Sequence, residues 1–230
     1  MTNYLNELNP NQQQAVEHID GPLMVVAGAG SGKTRVLTYR IAHLIKNGID
    51  SFNILALTFT NKAANEMKER INLILNNSES HNLWMGTFHS VFAKILRFES
   101  QKLNFSNNFT IYDTADAKNL LKSIIKELNL DKDVYKSNIV YSRISQLKNS
   151  LISPAGYESN SEMRMDDAQR KLTEMSRLYR TYQKRLFTSG SMDFDDLLFN
   201  TYVLLRDFPD ILNKYQNQWF KLVENRSYGI

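Results

Sequence analysis

The 230 residues include no cysteine, which excludes disulfides, thiolate zinc sites and a cysteine nucleophile, and fits a reducing compartment. No apolar run approaches the ~18 residues of a membrane span. The opening MTNYLNELNP is polar and is no signal peptide, so a cytoplasmic protein without membrane contact is expected. Neither sign of charge dominates: 28 Lys plus Arg stand against 24 Asp plus Glu, a net +4. That balance permits nucleic-acid binding without demanding it. Internal repeats and low-complexity runs are also missing. What is there is 42% hydrophobic residues, enough for a real core in one large domain or two small ones.

The most informative stretch is Leu23 to Thr34, LMVVAGAGSGKT. Leu23 to Val26 are continuously apolar and predict a short buried strand. In the adjoining loop, Ala27, Gly28, Ala29, Gly30, Ser31 and Gly32, the glycines let the backbone curl until successive N–H groups point inward as a nest for phosphate oxygens. Lys33 supplies a point charge for the outer phosphates. The Thr34 hydroxyl suits a magnesium ion bridging them, and the helix starting there turns its positive end to the same anion. The usual pattern has Gly where Ala27 stands. A dinucleotide fingerprint would need a third Gly at Lys33 and fails. The competing reading is a plain glycine-rich turn between strand and helix.

Upstream, Pro10 can start a helix whose Ala15, Val16 and Ile19 face inward. A Gln in that helix offers a donor and an acceptor together, the match for the edge of adenine; a solvated helix face is the alternative. Downstream, Val36, Leu37, Ile41, Leu44 and Ile45 form one stripe of a helix that stops at Asn47-Gly48. Asn53 to Phe59 reads as a second buried strand, parallel to the first across this helical crossover. Another helix comes next with Ala64, Met67, Ile71 and Ile74 on one face, then a polar loop over 76–82, then a third strand candidate, Leu83 to Phe88.

Open parallel sheets bind ligands beyond the carboxyl ends of their strands, so Gly28 to Thr34, Thr58 to Lys62 and Gly86 to His89 should share one rim. Phe59, Thr60, Asn61 and Lys62 bring a ring, a hydroxyl, an amide and a cation; Gly86 to Ser90 repeats that mixture. Single-stranded nucleic acid asks for it, since bases stack on aromatic rings at ~1–3 kcal/mol each while polar groups hold phosphates. Taken alone, Phe59 and Phe88 are more often core residues, and no metal partners for His89 are visible.

From about Val91 to Gly190 the pattern is wholly helical. Leu120, Leu121, Ile124, Ile125 and Leu128 come after the cap candidate Asp113, and one long helix is expected from Asp166 to Phe187. Ser150 to Met165, with Pro154 and Gly156, reads as a loop. Asp193, Asp195 and Asp196 make a carboxylate cluster that helix capping explains without a metal. Ile211 to Trp219 reads as helix, and Phe220 to Val223 as a last strand. The fold class expected is α/β, a parallel sheet of the P-loop NTPase kind with an inserted helical subdomain: core over 1–90, helical part over 91–190, return to the core over 191–230.

In their order, LNPNQQQAV, AGAGSGKTRVL, ALTFTNKAANEM, GTFHS and MDFDDLL resemble the Q motif, the Walker A segment, motifs Ia and Ib and the segment before the next core strand of UvrD/Rep/PcrA-type superfamily 1 DNA helicases. The resemblance runs to about Val223. It implies that Gln12 reads adenine and that Ala27 to Thr34 hold ATP and Mg2+. Arg35 would lie against the nucleotide, with Phe59, Thr60, Asn61, Lys62, Thr87 and His89 lining a single-stranded DNA path. The helical part would be the 1B subdomain inserted into a RecA-like 1A core. The family couples ATP hydrolysis to 3′-to-5′ translocation on single-stranded DNA and to unwinding at duplex junctions, in repair and replication.

The chain also departs from that pattern. Leu222-Val223 lead into Glu224-Asn225-Arg226 where the family has an Asp-Glu pair and a Gln, and the second RecA-like domain with its arginine fingers is absent from these residues. The expectation is therefore a helicase fragment deficient in hydrolysis alone. The alternatives are a nucleotide-gated DNA-binding or regulatory module without helicase activity and a small-molecule kinase, which lacks a second substrate site.

Overall fold

The computed structural model describes residues 4–28, 30–76, 82–219 and 221–224. Ala29, most of the loop expected after Asn76, and Phe220 lie outside them. The chain forms two compact units, residues 1–91 with 209–230, and 92–208. It is mixed α/β with parallel sheets.

In chain order the first helices are α1 (Pro10–Glu17) and α2 (Lys33–Lys46). Then come β1 (Ile54–Thr58), α3 (Asn61–Leu75), β2 (Trp84–Thr87) and α4 (Phe88–Phe98). The second unit continues with β3 (Thr110–Tyr112), α5 (Thr114–Glu127), α6 (Ser137–Asn149), α7 (Pro154–Ser159) and α8 (Ser161–Gln169). It closes with α9 (Met175–Thr188), β4 (Ser191–Asp193) and α10 (Phe194–Asp207), after which α11 (Pro209–Gln218) and β5 (Lys221–Glu224) return to the first unit.

The first unit is built on a three-stranded parallel sheet in the order β2-β1-β5. Leu55 pairs with Trp84 on one side and Leu222 on the other. All five residues of β1 are buried, the signature of a central strand covered on both faces. Ile41, Leu44 and Ile45 of α2, Met67 and Ile71 of α3 and Val223 of β5 pack on Ile54 and Ala56. Each fully buried aliphatic side chain contributes about 1.5–3 kcal/mol. Beside β2, Trp84 meets the Trp219 ring edge-on at 4.9 Å between centroids, and Tyr215 stacks on Trp219 at 4.8 Å.

The strand expected at Leu23 to Val26 does not form. The segment joins no ladder among the described residues, and Met24 and Val26 are 83% and 87% exposed. Apolar, β-branched character makes a segment suited to a sheet, but a strand exists only through a partner's backbone and side chains. A place beside β1 is not open to it, since both sides of that strand are taken by β2 and β5.

The second unit is a helical body around Leu121, Ile124, Ile144, Leu147, Met175, Leu178, Tyr179, Tyr182 and Leu186. Four expectations are corrected there. It is not wholly helical: β3 and β4 form a short parallel pair, Thr110 opposite Ser191. It runs to Phe208 rather than ending near Gly190, because β4 pairs inside it and α10 adjoins it directly. The loop expected over Ser150 to Met165 is mostly α7 and α8, since Pro154 starts α7 and polar residues ahead of each helix are caps. Ser153 accepts from the Gly156 N–H and Asn160 from the Met163 N–H, each satisfying a first-turn donor. The long helix expected from Asp166 is broken between α8 and α9 by Lys171, which takes φ +63°.

Candidate functional site

The N-terminus of α2 differs from that of its neighbour α3, which Thr60 caps through its side chain. Gly32 takes the N-cap position of α2 at φ +86° and supplies no capping side chain, so the first-turn N–H groups there have no side-chain acceptor from the cap. Uncapped donors at the positive end of a helix form an anion site. Gly30 also sits at positive φ, +75°, as a curled loop of inward N–H groups requires. A side chain at Gly32 would be strained by the backbone, and its Cβ would lie 2.8 Å from Gln12 Nε2.

The loop closes on its own groups. Lys33 Nζ donates to the Ala27 carbonyl at 2.8 Å, and the Ser31 hydroxyl donates to the Gly28 carbonyl at 2.6 Å. Gln12 is engaged twice: its Oε1 accepts from the Asn9 N–H at 3.1 Å, and its Nε2 donates to the Ser31 carbonyl at 3.2 Å. The first bond completes a capping box at the start of α1. Gln12 thus ties α1 to the loop, and an adenine ring would have to share or take over its amide.

Arg35 also approaches Gly32. Its Cβ lies 3.8 Å from the point where a Gly32 Cβ would be. Its Nη2 donates to Glu7 Oε2 at 3.1 Å, and its guanidinium carbon lies 5.5 Å from the centre of the Tyr39 ring. The Tyr39 hydroxyl donates to the same Glu7 oxygen. Burial, and then this bond to Glu7, push the Tyr39 phenol above its usual value. Nothing in the sequence linked Glu7 to Arg35, 28 residues away.

The second group of predicted residues lies at the carboxyl ends of β1 and β2, which the parallel register Thr58 opposite Thr87 sets side by side. Phe59 leaves the end of β1 86% exposed, so the core reading of this ring falls and the surface reading stands. Thr60, Asn61 and Lys62 are exposed beside it, and the Thr60 hydroxyl oxygen caps α3 by accepting from the Ala63 N–H at 3.1 Å. At the end of β2, Thr87 accepts from the Ser90 N–H at 3.2 Å, and the Ser90 hydroxyl donates to the Thr87 carbonyl at 2.8 Å. Gly86 is needed there because a Cβ would overlap the Ser90 hydroxyl oxygen. His89 is half-buried.

Among the described residues no three His, Cys, Asp or Glu are grouped to hold a metal ion. The Thr34 hydroxyl makes no hydrogen bond among them, and it stands next to Lys33 in the uncapped turn. A magnesium ion fits this donor set when phosphate oxygens supply further ligands, the usual habit of that ion.

The acidic cluster of Asp193 and Asp196 does cap α10, through a reciprocal box in which the Asp193 carboxylate accepts from the Asp196 N–H at 2.8 Å. It holds more than a cap. Lys148 Nζ sits 2.7 Å from Asp193 Oδ2 and 2.8 Å from Asp196 Oδ1. The available signal was a lysine in the apolar stripe of α6 beside Val140, Ile144 and Leu147.

Compared with known proteins, residues 8–223 match the model of the UvrD/REP helicase N-terminal domain. The chain is 40% identical over 215 residues to the ATP-dependent DNA helicase PcrA of Leuconostoc citreum, covering 93% of this chain and 28% of the relative. It is 43% identical over 216 residues to that of Bacillus subtilis (strain 168), covering 94% and 28%. Against that of Staphylococcus aureus (strain NCTC 8325 / PS 47) it is 40% identical over 225 residues, covering 95% and 29%. The chain spans less than a third of the length of these curated relatives. No helix among the described residues is long and apolar enough to cross a membrane.

Proposed function

We propose, from the premise that this chain belongs to the UvrD/REP helicase N-terminal domain family, that it is the nucleotide-binding and strand-contacting part of an ATP-dependent 3′-to-5′ DNA helicase. The observation that carries this reading is the uncapped start of α2, with Lys33 and Thr34 in its first turn at the end of a glycine loop. The loop N–H groups and Lys33 take the triphosphate. Thr34 takes magnesium together with phosphate oxygens, and Gln12 and Arg35 face the base. Lys33 gives up the Ala27 carbonyl for a phosphate oxygen, exchanging a neutral acceptor for a charged one, which makes the stronger bond.

Phe59 offers its exposed ring to a base, with Thr60, Asn61, Lys62, Thr87 and His89 along the sugar-phosphate path of single-stranded DNA or a duplex junction. The first unit then corresponds to the 1A core and the second to the 1B subdomain. Taken by themselves, the 230 residues bind ATP and turn it over poorly. Phosphoryl transfer needs a water-orienting group and an arginine finger, and lack of the finger alone lowers rates about 10³–10⁵-fold.

Titration of a fluorescent ATP analogue with magnesium tests the core of the proposal. Lys33→Ala should weaken binding roughly ten- to a hundredfold, the worth of a charge-assisted hydrogen bond. Unchanged affinity would refute the site. A coupled ATPase assay with and without single-stranded DNA tests turnover, and robust DNA-stimulated hydrolysis by the isolated chain would overturn that part.

A further inference from the structure

The nucleotide site has two halves of different chemistry. On the nucleotide-site reading the glycine loop with Lys33 and Thr34 takes the phosphates, whereas Gln12 and Arg35, which both approach Gly32, take the base. An arginine in the first turn of a helix has several rotamers, and a flat cation recognises a base only when its plane is fixed. Arg35 is fixed by residues that belong to neither half. Glu7 takes one edge of its guanidinium through Nη2, and the Tyr39 ring lies 5.5 Å from its central carbon. The Tyr39 hydroxyl donates to the same Glu7 oxygen, so carboxylate, phenol and guanidinium close a triangle.

The brace is rooted on both sides. Tyr39 is buried among Leu5, Leu8, Val16 and Val36. Glu7 ends the short turn Tyr4–Glu7, and Asn9, two residues on, caps the helix that carries Gln12. One segment therefore sets both the carboxylate behind Arg35 and the amide of Gln12. The Arg35 side chain keeps 43% of its surface exposed, enough to offer a free face to a purine ring. An unpaired carboxylate this close to an anion site would repel phosphate; bound to Arg35 and Tyr39, Glu7 does not.

We infer that Glu7 and Tyr39 are positioning residues that hold Arg35 in place for the base of a bound purine nucleotide, so that base recognition is assembled before the nucleotide arrives. This rests on the nucleotide-site reading above. It separates base from phosphate: weakening the brace lowers affinity for ATP and leaves affinity for inorganic tripolyphosphate alone. The Glu7–Arg35 pair is largely exposed, with side chains 61% and 43% accessible, and pairs of that kind have modest effects.

The test is competition of ATP and of tripolyphosphate, each with magnesium, against a fluorescent ATP analogue. Glu7→Gln should weaken ATP about two- to fivefold and leave tripolyphosphate unchanged, with Tyr39→Phe in the same direction. In an Arg35→Ala background Glu7→Gln should have no further effect, the outcome of a double-mutant cycle in which one residue acts through the other. An equal loss for both ligands, a Glu7→Gln effect that persists without Arg35, or wild-type ATP affinity in both single variants would overturn the inference. Lys33→Ala keeps the two readings apart. If it binds both ligands as the wild type does, the nucleotide site falls and the brace with it; if it loses both while Glu7→Gln retains ATP affinity, the brace alone falls.

Discussion

Replacing Lys148 with Met should unravel the anchoring of α10. The Lys148 ammonium lies 2.7 Å from Asp193 and 2.8 Å from Asp196, and all three side chains are only 1–2% exposed. Tyr182 donates to Asp193 at 2.8 Å and Gln183 to Asp196 at 2.9 Å. One cation faces two carboxylates, so the cluster already holds a surplus negative charge. Burial first, and repulsion from Asp193 after it, push the Asp196 carboxyl above its ordinary value although Lys148 opposes them. For Lys148 itself burial acts downward, and the two carboxylates more than reverse it, so the ammonium stays charged.

Lys148→Met leaves both carboxylates buried without a cation. Breaking a buried pair from one side costs about 3–5 kcal/mol, and at roughly 2–4 °C per kcal/mol the melting temperature of a chain this size falls about 6–20 °C. Hydrogen exchange should show the loss in α6, α9, β4 and α10. Adding Asp193→Asn and Asp196→Asn should recover most of it, because the uncompensated charge is what costs and Asn still caps a helix. A loss below about 1 kcal/mol from Lys148→Met alone would show that the cluster is not held by this cation.

Asp196 also sets a pH dependence: because its folded pKa is raised above 3.8, its contribution is fully present below that value and lost as pH rises through the raised one. Asp196→Asn should therefore gain stability relative to the wild type as pH climbs through that window, and thermal melts that stay parallel would refute it. Phe59→Ala should weaken single-stranded DNA by about 1–3 kcal/mol in an anisotropy titration and leave the melting temperature within about 1 °C, the ring being 86% exposed. DNA affinity should fall with salt, with a log–log slope near −0.7 per phosphate neutralised; a flat response would remove the phosphate path. Gly86→Ala should destabilise by about 1–3 kcal/mol by driving its Cβ into the Ser90 hydroxyl, and Ser90→Ala in the same chain should recover most of that loss in a urea titration.

The signals local to the chain were sufficient for much of this. Glycine spacing ahead of Lys33 marked a curled loop running into a helix start, because positive φ at Gly30 and Gly32 is a property of those residues themselves. The continuous apolar run from Asn53 to Phe59 marked a buried strand, formed over Ile54–Thr58, and Asp193 marked a helix start, since capping acts over three residues. Order of motifs sufficed for the family. Other outcomes depended on partners far along the chain. Leu23 to Val26 carry strand character yet stay unpaired, because residue type suits a segment to a ladder while only a partner backbone makes one. Pro154 and Gly156 read as loop signals, yet Ser153 and Asn160 cap helices there, since the same side-chain oxygen serves a turn or a helix start depending on the conformation of the next three residues. Glu7 and Tyr39 meet Arg35, and Lys148 meets Asp193, across 28 and 45 residues of chain. Residue types fix which groups can bind a nucleotide or bury a charge; only the packing of α1 on α2, and of α6 on α10, decides which of them meet.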